Sequence, residues 1–144
     1  MNDKWPRWIC ASVMKHLSDT LTGVKIFTEG QERDTNKYRQ FIEVRLTGPD
    51  IVEYSKDLFF VTLEVNVLGS VAIGNDIYAS KRLMGLVQSA MASNILLYEL
   101  GDDGTEFGCL IRENDLDSVD YGQPDVKTRL LQFTVEGRYR ASLP

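Results

Sequence analysis

Residues 58–70 read LFFVTLEVNVLGS, and the pattern of this segment predicts the centre of the fold. Every second side chain from Phe59 to Val67 is large and apolar. Successive side chains of a strand leave the backbone on opposite sides, so the alternation predicts a strand with one face in a hydrophobic core. The other face mixes Phe60 with Glu64 and further polar side chains, which indicates a surface that contacts another protein. We therefore expect a central strand of a sheet that is covered on one side only.

Two amphipathic helices flank this strand along the chain, at residues 6–21 and 76–92. Each has apolar side chains at helical spacing, which predicts one buried stripe per helix. Gly23 suits the left-handed turn that stops the first helix, and Asn75 or Asp76 suits the cap of the second. The stripes consist of Ile9, Val13, Leu17 and Leu21 in the first helix and Ile77, Leu83, Met84, Val87 and Met91 in the second.

The remaining apolar stretches read as strands separated by turns and charged segments. We expect strands at residues 24–28, 41–46, 95–100, 107–112 and 128–139. Gly48, Pro49 and Asp50 are turn residues, so they are expected to end the second of these strands. The order predicts an α+β fold, with an antiparallel sheet of four to six strands and two helices packed on one face. One domain, residues 1–144, is expected to hold all of it.

Composition excludes several functional classes. The net charge of −5 argues against nonspecific nucleic-acid binding, which depends on clustered Lys and Arg. No apolar run approaches the roughly 20 residues that span a bilayer. The N-terminus does not read as a signal peptide, so we expect a protein made in a cytoplasm, without a membrane partner. Cys10 and Cys109 are far apart in sequence and form neither a redox pair nor a metal knuckle.

Sequence motifs for catalysis or ligand binding are weak throughout the chain. The glycines at 69 and 74 are not a phosphate loop, because Asn75 and Asp76 stand where lysine and serine or threonine are required. His16 has no Asp and Ser constellation around it in the sequence, which favours a boundary histidine over a general base. Glu43 and Glu64 are candidates to meet across neighbouring strands, as glycosidase carboxylates do, but no spacing distinguishes them. We expect no enzyme activity, no cofactor and no metal.

An acidic segment, residues 113–125, invites a calcium interpretation that its spacing does not support. Asp115, Asp117 and Asp120 do not follow the EF-hand pattern, and no glutamate stands at position twelve of such a loop. A solvated acidic loop is the expected structure of this segment.

The element order and several stretches together resemble the tail terminator proteins of long-tailed bacteriophages. The resemblance covers most of the chain. It rests on the first helix ending at 21–23, the strand at 41–47, the long strand at 58–68, the helix ending at 91, the DDG turn at 102–104 and the last strand ending at 133–140.

The resemblance implies a structural virion protein, made in the host bacterial cytoplasm and located in the neck region of the tail. Such a protein forms a hexameric ring at the top of the tail tube, ends tube polymerisation and provides the surface for head attachment. Its implied partners are other copies of itself, the tail tube protein and head-tail connector or neck proteins, with genomic DNA passing through the lumen without specific binding.

Candidate interaction residues follow from the faces and loops of the expected sheet. A ring subunit must present two unlike surfaces to its neighbours. The proposed subunit or tube interface is Leu58, Phe60, Glu64, Leu130 and Gln132. The proposed assembly loops contain Arg33, Lys37, Asp115, Asp117 and Asp120, and an acidic lining would let DNA pass without adhering.

Two alternatives remain open at this point. The first is another neck, connector or tail-completion protein of the head-tail junction, which differs only in its partner. The second is an acidic nucleic-acid-binding sheet domain in which Phe60 stacks on a base, as in RNA-recognition modules. The acidic composition and the lack of a basic aromatic signature disfavour the second alternative.

Overall fold

Two helices and seven strands form the described part of this computed structural model, which comprises residues 1–28, 38–74, 78–101, 104–121 and 129–144. In chain order they are α1 (Trp5–Thr20), β1 (Lys25–Thr28), β2 (Gln40–Ser55), β3 (Leu58–Ala72), α2 (Ala79–Ala92), β4 (Ile95–Tyr98), β5 (Glu106–Arg112), β6 (Asp117–Asp120) and β7 (Leu130–Leu143).

The strands form one curled sheet in the order β1-β2-β3-β7-β5-β4, and β6 pairs with β7 next to β5. The central strand β3 pairs antiparallel with β2 on one side and with β7 on the other. The α+β fold is thereby confirmed. The sheet is mixed, because β1 pairs parallel with β2. A parallel pair requires a long connection instead of a tight turn, and residues 29–39 supply one.

Both helices cover the same face of the sheet, which we call the inner face. The odd-numbered side chains of β3 from Val61 to Val67 are buried there, as the alternation predicts. The apolar stripe of α1 is buried against them, and so are Leu83, Val87 and Met91 of α2. Burying a large apolar side chain stabilises the fold by about 1.5–3 kcal/mol before entropy is subtracted. One hydrophobic cluster therefore joins both helices to the sheet.

The start of α2 differs from the expectation. The helix begins at Ala79, with Tyr78 in the cap position and no side-chain cap hydrogen bond. Met84 is only half-buried, although it was expected in the stripe. The expected caps Asn75 and Asp76, and Ile77 of the stripe, lie outside the described residues.

The prediction that β2 ends at Gly48 is wrong. The strand continues to Ser55, and its register with β3 shifts between Thr47 and Asp50. Proline has no N–H to donate, so a shift in the ladder is where a strand tolerates it. The chain reverses instead after Ser55, where Asp57 has a left-handed φ of 64° that aspartate accepts more readily than most residues.

The acidic segment is also more ordered than predicted. Residues 117–120 form β6, which pairs antiparallel with β7 from Phe133 to Glu136. The expectation of a solvated loop is therefore wrong for these four residues, because the free edge of β7 supplies hydrogen-bond partners that the local sequence does not show. Residues 122–125 of the same segment lie outside the described residues.

A buried tyrosine ties the end of α2 to the sheet. Tyr139 of β7 is fully buried, and its hydroxyl donates a hydrogen bond of 2.7 Å to the carbonyl oxygen of Met91. Burial raises the pKa of Tyr139 to about 12, because the charged phenolate is poorly solvated in the core. The last turn of α2 thus has one of its carbonyl groups satisfied by the strand beneath it.

We expect Gly69→Ala to destabilise the protein by about 1–3 kcal/mol, as overpacking does in a filled core. Gly69 lies opposite Phe133 in the ladder, and a Cβ at this position would overlap the ring of Phe133. Gly85→Ala on α2 is the control, because a Cβ there meets no atom within 4 Å. Alanine in a helix should stabilise it by about 0.5–1 kcal/mol. Urea unfolding of both variants checks the prediction, and equal stabilities would contradict it.

Tyr139→Phe should lower the free energy of unfolding by about 0.5–1.5 kcal/mol at pH 8, because it removes the hydrogen bond to Met91. The folded-state pKa of about 12 lies above the ordinary value of 10.0. The contribution of Tyr139 is therefore complete below pH 10 and lost as the pH rises through 12. Denaturant unfolding from pH 8 to 11.5 should show the advantage of wild type over Tyr139→Phe shrinking, and a constant difference would contradict the assignment.

Candidate protein-interaction surface

The sheet face opposite the helices, which we call the outer face, carries an exposed apolar patch near the β2–β3 turn. Val52 pairs with Phe60 across the two strands, and the Tyr54 and Phe60 ring centroids are 4.9 Å apart. Val52, Tyr54 and Phe60 are 63%, 69% and 43% exposed. We call these three residues the hairpin patch. Adjoining exposed apolar side chains are typical of a surface that contacts another protein.

Two members of the hairpin patch, Val52 and Tyr54, were missed by the sequence analysis. The reason is that Pro49 was interpreted as the end of a strand. The run Ile51, Val52, Glu53 and Tyr54 carries β-branched and aromatic residues, and this was the available signal that the strand resumes after the proline.

The structure separates the five predicted interface residues into two groups on the same side of the sheet. Leu58 and Phe60 lie at the β2–β3 turn, whereas Gln132 of β7 is paired with Ser70 at the other end of β3. Ten residues of strand separate Phe60 from Ser70, which is about 33 Å. Leu130 pairs with Ala72 beside Gln132, and Glu64 lies between the two groups. The five residues therefore do not form one continuous patch.

A group of carboxylates lies on the outer face between the β2–β3 turn and the end of the sheet that carries Gln132. Glu136 of β7 pairs with Asn66 of β3 on one side and with Asp117 of β6 on the other. The pKa of Glu136 is raised, first by a hydrogen bond with the side chain of Glu64 and then by burial and the charges of Glu64 and Asp117. The charge of Arg138 acts in the opposite direction and does not cancel this shift of the Glu136 pKa.

The predicted assembly residues do not share one surface either. Asp117 and Asp120 are three residues apart in β6, so their side chains leave the strand on opposite faces. The carboxylate of Asp120 lies 2.7 Å from Nζ of Lys81 on α2, on the inner face. Asp115 precedes β6 and is exposed. Arg33 and Lys37 lie outside the described residues.

The glutamate pair considered for catalysis is not formed. Glu43 lies opposite Leu68, and Glu64 lies opposite Thr47, so the two carboxylates are four positions apart along the ladder. Glu43 is buried beside Arg45, whose Nε lies 3.4 Å from Oε1 of Glu43.

His16 lies in a groove between α1 and β4 with a volume of about 370 Å³. Its Nε2 is 2.8 Å from the carbonyl oxygen of Ala90 in the last turn of α2. Through this contact, His16 links α1 to α2. Cys10 and Cys109 are both free, and burial raises the pKa of each thiol.

Within the described residues, no three His, Cys, Asp or Glu side chains are grouped so that they could hold a metal ion. Neither helix of the described part of the chain has the length and hydropathy needed to cross a bilayer.

No family model and no curated protein matches this chain. Solved structures do match it. One of them has a TM-score of 0.54 and 13% sequence identity, and the alignment covers 96% of this chain and 94% of that one. Its name carries no functional information. At this identity the likeness shows a shared fold alone.

Glu136→Gln should make the protein less sensitive to pH. The folded-state pKa of Glu136 is raised above its ordinary value of 4.5, so its contribution to stability is complete below that value and lost as the pH rises through the folded-state pKa. We expect the stability of Glu136→Gln relative to wild type to increase from pH 4 to pH 7 in urea unfolding. Glu106→Gln, at an exposed position on β5, is the control. A pH-independent difference for Glu136→Gln would contradict the repulsion inferred for the carboxylates.

Proposed function

We propose that this chain is a structural virion protein of a tailed bacteriophage, acting as the tail terminator. It forms a hexameric ring at the top of the tail tube, ends tube polymerisation and provides the surface to which the head attaches. The observation that carries the proposal is the hairpin patch, because it is an exposed apolar surface on a sheet face that the helices leave uncovered.

The hairpin patch is suited to contact with the tube. Its aromatic side chains are rigid and large, and such residues dominate the binding energy of protein interfaces once they are covered. Tyr54 and Phe60 already contact each other, so a partner would bury a preformed pair at little cost in conformational entropy.

The two lateral margins of the sheet are suited to a ring. A closed ring joins unlike surfaces of adjacent subunits. One margin is formed by β1 and β2, and the other by β4, β5 and β6. These margins differ in strand length, direction and charge, so a subunit can bind its neighbour without binding itself face to face.

A terminator must bind the growing end of the tube and then offer no site to the next tube subunit. In this proposal the aromatic pair of the hairpin patch, Tyr54 and Phe60, is covered by the tube, and the exposed side of the ring carries the surface for the neck proteins. The ring is made in the cytoplasm of the infected host and becomes part of the virion.

Phe60→Asp should leave the monomer folded and abolish tube capping, because a charge in a buried apolar contact must be desolvated. The test is growth of purified tail tubes in the presence of the chain, with tube length measured by electron microscopy. Wild type should keep tubes short and Phe60→Asp should let them grow.

Leu86→Asp on α2 is the matched control, because Leu86 is 48% exposed and Phe60 is 43% exposed. It should cap tubes as wild type does, and circular dichroism should show that both variants are folded. Failure of the wild-type chain to affect tubes would contradict the proposed function. Binding to the portal and adaptor side of the neck would then indicate another junction protein.

A further inference from the structure

The margins of the sheet are open for part of their length. On one side, β1 pairs only with residues 41–44 of β2, so residues 45–55 have no strand partner opposite β3 within the described part of the chain. On the other side, the pairing of β5 with β4 stops at Leu110. Open edges expose backbone hydrogen-bonding groups that another strand can pair with.

The second margin follows β7. Ile111 and Arg112 pair with β7, the N–H of Glu113 donates a 2.8 Å hydrogen bond to the carbonyl oxygen of Arg138, and β6 continues the contact. Residues 111–117 therefore form a second ordered edge. We call residues 45–52 the β2 margin and residues 111–117 the β6 margin.

Residues at the two margins lie at the same level of the sheet. The ladder pairs Arg45 with Asn66, Asn66 with Glu136, and Glu136 with Asp117. Arg45 and Asp117 are thus the two ends of one row that crosses four strands on the outer face. If the sheet of one copy continued into the sheet of the next in the register that extends this row, Arg45 of the second copy would lie level with Asp117 of the first.

The charges at the ends of this row are complementary. The β6 margin contains a notch of about 190 Å³ that is lined by Asp115, Asp117, Glu136 and Arg138, among others. The Arg45 side chain is 56% exposed, and its ion pair with Glu43 is long, at 3.4 Å. A guanidinium can donate to two carboxylates from one planar group. Its arrival would also offset the negative charges of Glu64 and Asp117, which act on Glu136 beside the hydrogen bond from Glu64 and burial.

Strand direction and apolar side chains fit the same contact. The strands β2 and β7 run in one direction, and β5 and β6 run in the other, so the two margins would meet antiparallel. Ile111 is 48% exposed, and the ladder places it at the same level of the sheet as Asp50. Val52, 63% exposed, lies two residues beyond Asp50 on the same face. In this contact, Ile111 of one copy and Val52 of the next would therefore lie in adjacent rows of the outer face.

We infer that a second copy of this chain occupies each margin, with Arg45 of one copy bound in the carboxylate notch of Asp115, Asp117 and Glu136 of its neighbour. Ile111 and Val52 pack together further along the same contact, in the outer-face rows nearer the β2–β3 turn. The inference rests on the proposed ring, since it states which two surfaces join adjacent subunits. Such a contact joins unlike surfaces, and repeating it around an axis gives a ring when the rotation between copies closes.

A charge exchange tests the contact. Arg45→Asp and Asp117→Arg should each raise the protein concentration needed for oligomer formation about tenfold or more, because each places like charges together in the contact. The double variant should restore the oligomer to near the wild-type concentration. Light scattering over a concentration series gives the mass, and circular dichroism reports folding. Arg7→Asp and Asp3→Arg, at exposed positions near the start of the chain, are the matched controls.

The single and double variants test the contact between copies, and tube capping tests the proposed function. Loss in both single variants with recovery in the double variant supports the contact. Unchanged assembly of the single variants, or no recovery in the double variant, overturns it, and so does a wild-type chain that stays monomeric at every concentration and on tubes. Tube capping is measured separately: capping that is indifferent to Arg45 and Asp117 preserves the proposed function without this contact. Charge-dependent oligomers that ignore tubes preserve the contact and refute the terminator.

Discussion

The pairing of β3 with two antiparallel neighbours determines where every other part of the molecule lies. Because β3 is matched along its length by β2 and β7, its alternating side chains define an inner and an outer face for all three strands. The apolar inner face requires a cover, and the stripes of α1 and α2 supply it. The same strand register determines which side chains of the outer face are neighbours. The hairpin patch and the group of carboxylates therefore depend on register as well as on which residues the sequence supplies.

Local patterns were sufficient to predict the fold class. The alternation from Phe59 to Val67 and the helical stripes each report a buried face within a short window, and the structure confirms them. Pro49 was misinterpreted because turns and irregular points of a strand use the same residue types. β6 was missed because its acidic sequence has low strand propensity, and its order depends on the edge of β7.

Placement of the candidate site was beyond local patterns. Gln132 and Phe60 were each assigned to a mixed face, but their separation depends on a register between strands that are distant in sequence. The row that links Arg45 to Asp117 has the same origin, since it passes through three strand pairs. Sequence reasoning identifies which side chains face outward, whereas only the ladder shows which of them are neighbours.

In the proposed ring, the hairpin patch is the apolar surface for one partner, and the two margins are unlike edges for copies of the chain. The carboxylates at one margin would make that contact directional, because they repel each other and attract a cation. A ring subunit that binds a tube needs this combination of one apolar docking surface and two complementary sides.

Electron microscopy of tail tubes incubated with the purified chain, with image averaging of the tube ends, tests the proposed terminator role. We expect a sixfold ring of this chain at one end of each tube, with the β2–β3 turn against the last tube ring. Tubes with bare ends, or with the chain bound along their sides, would contradict it.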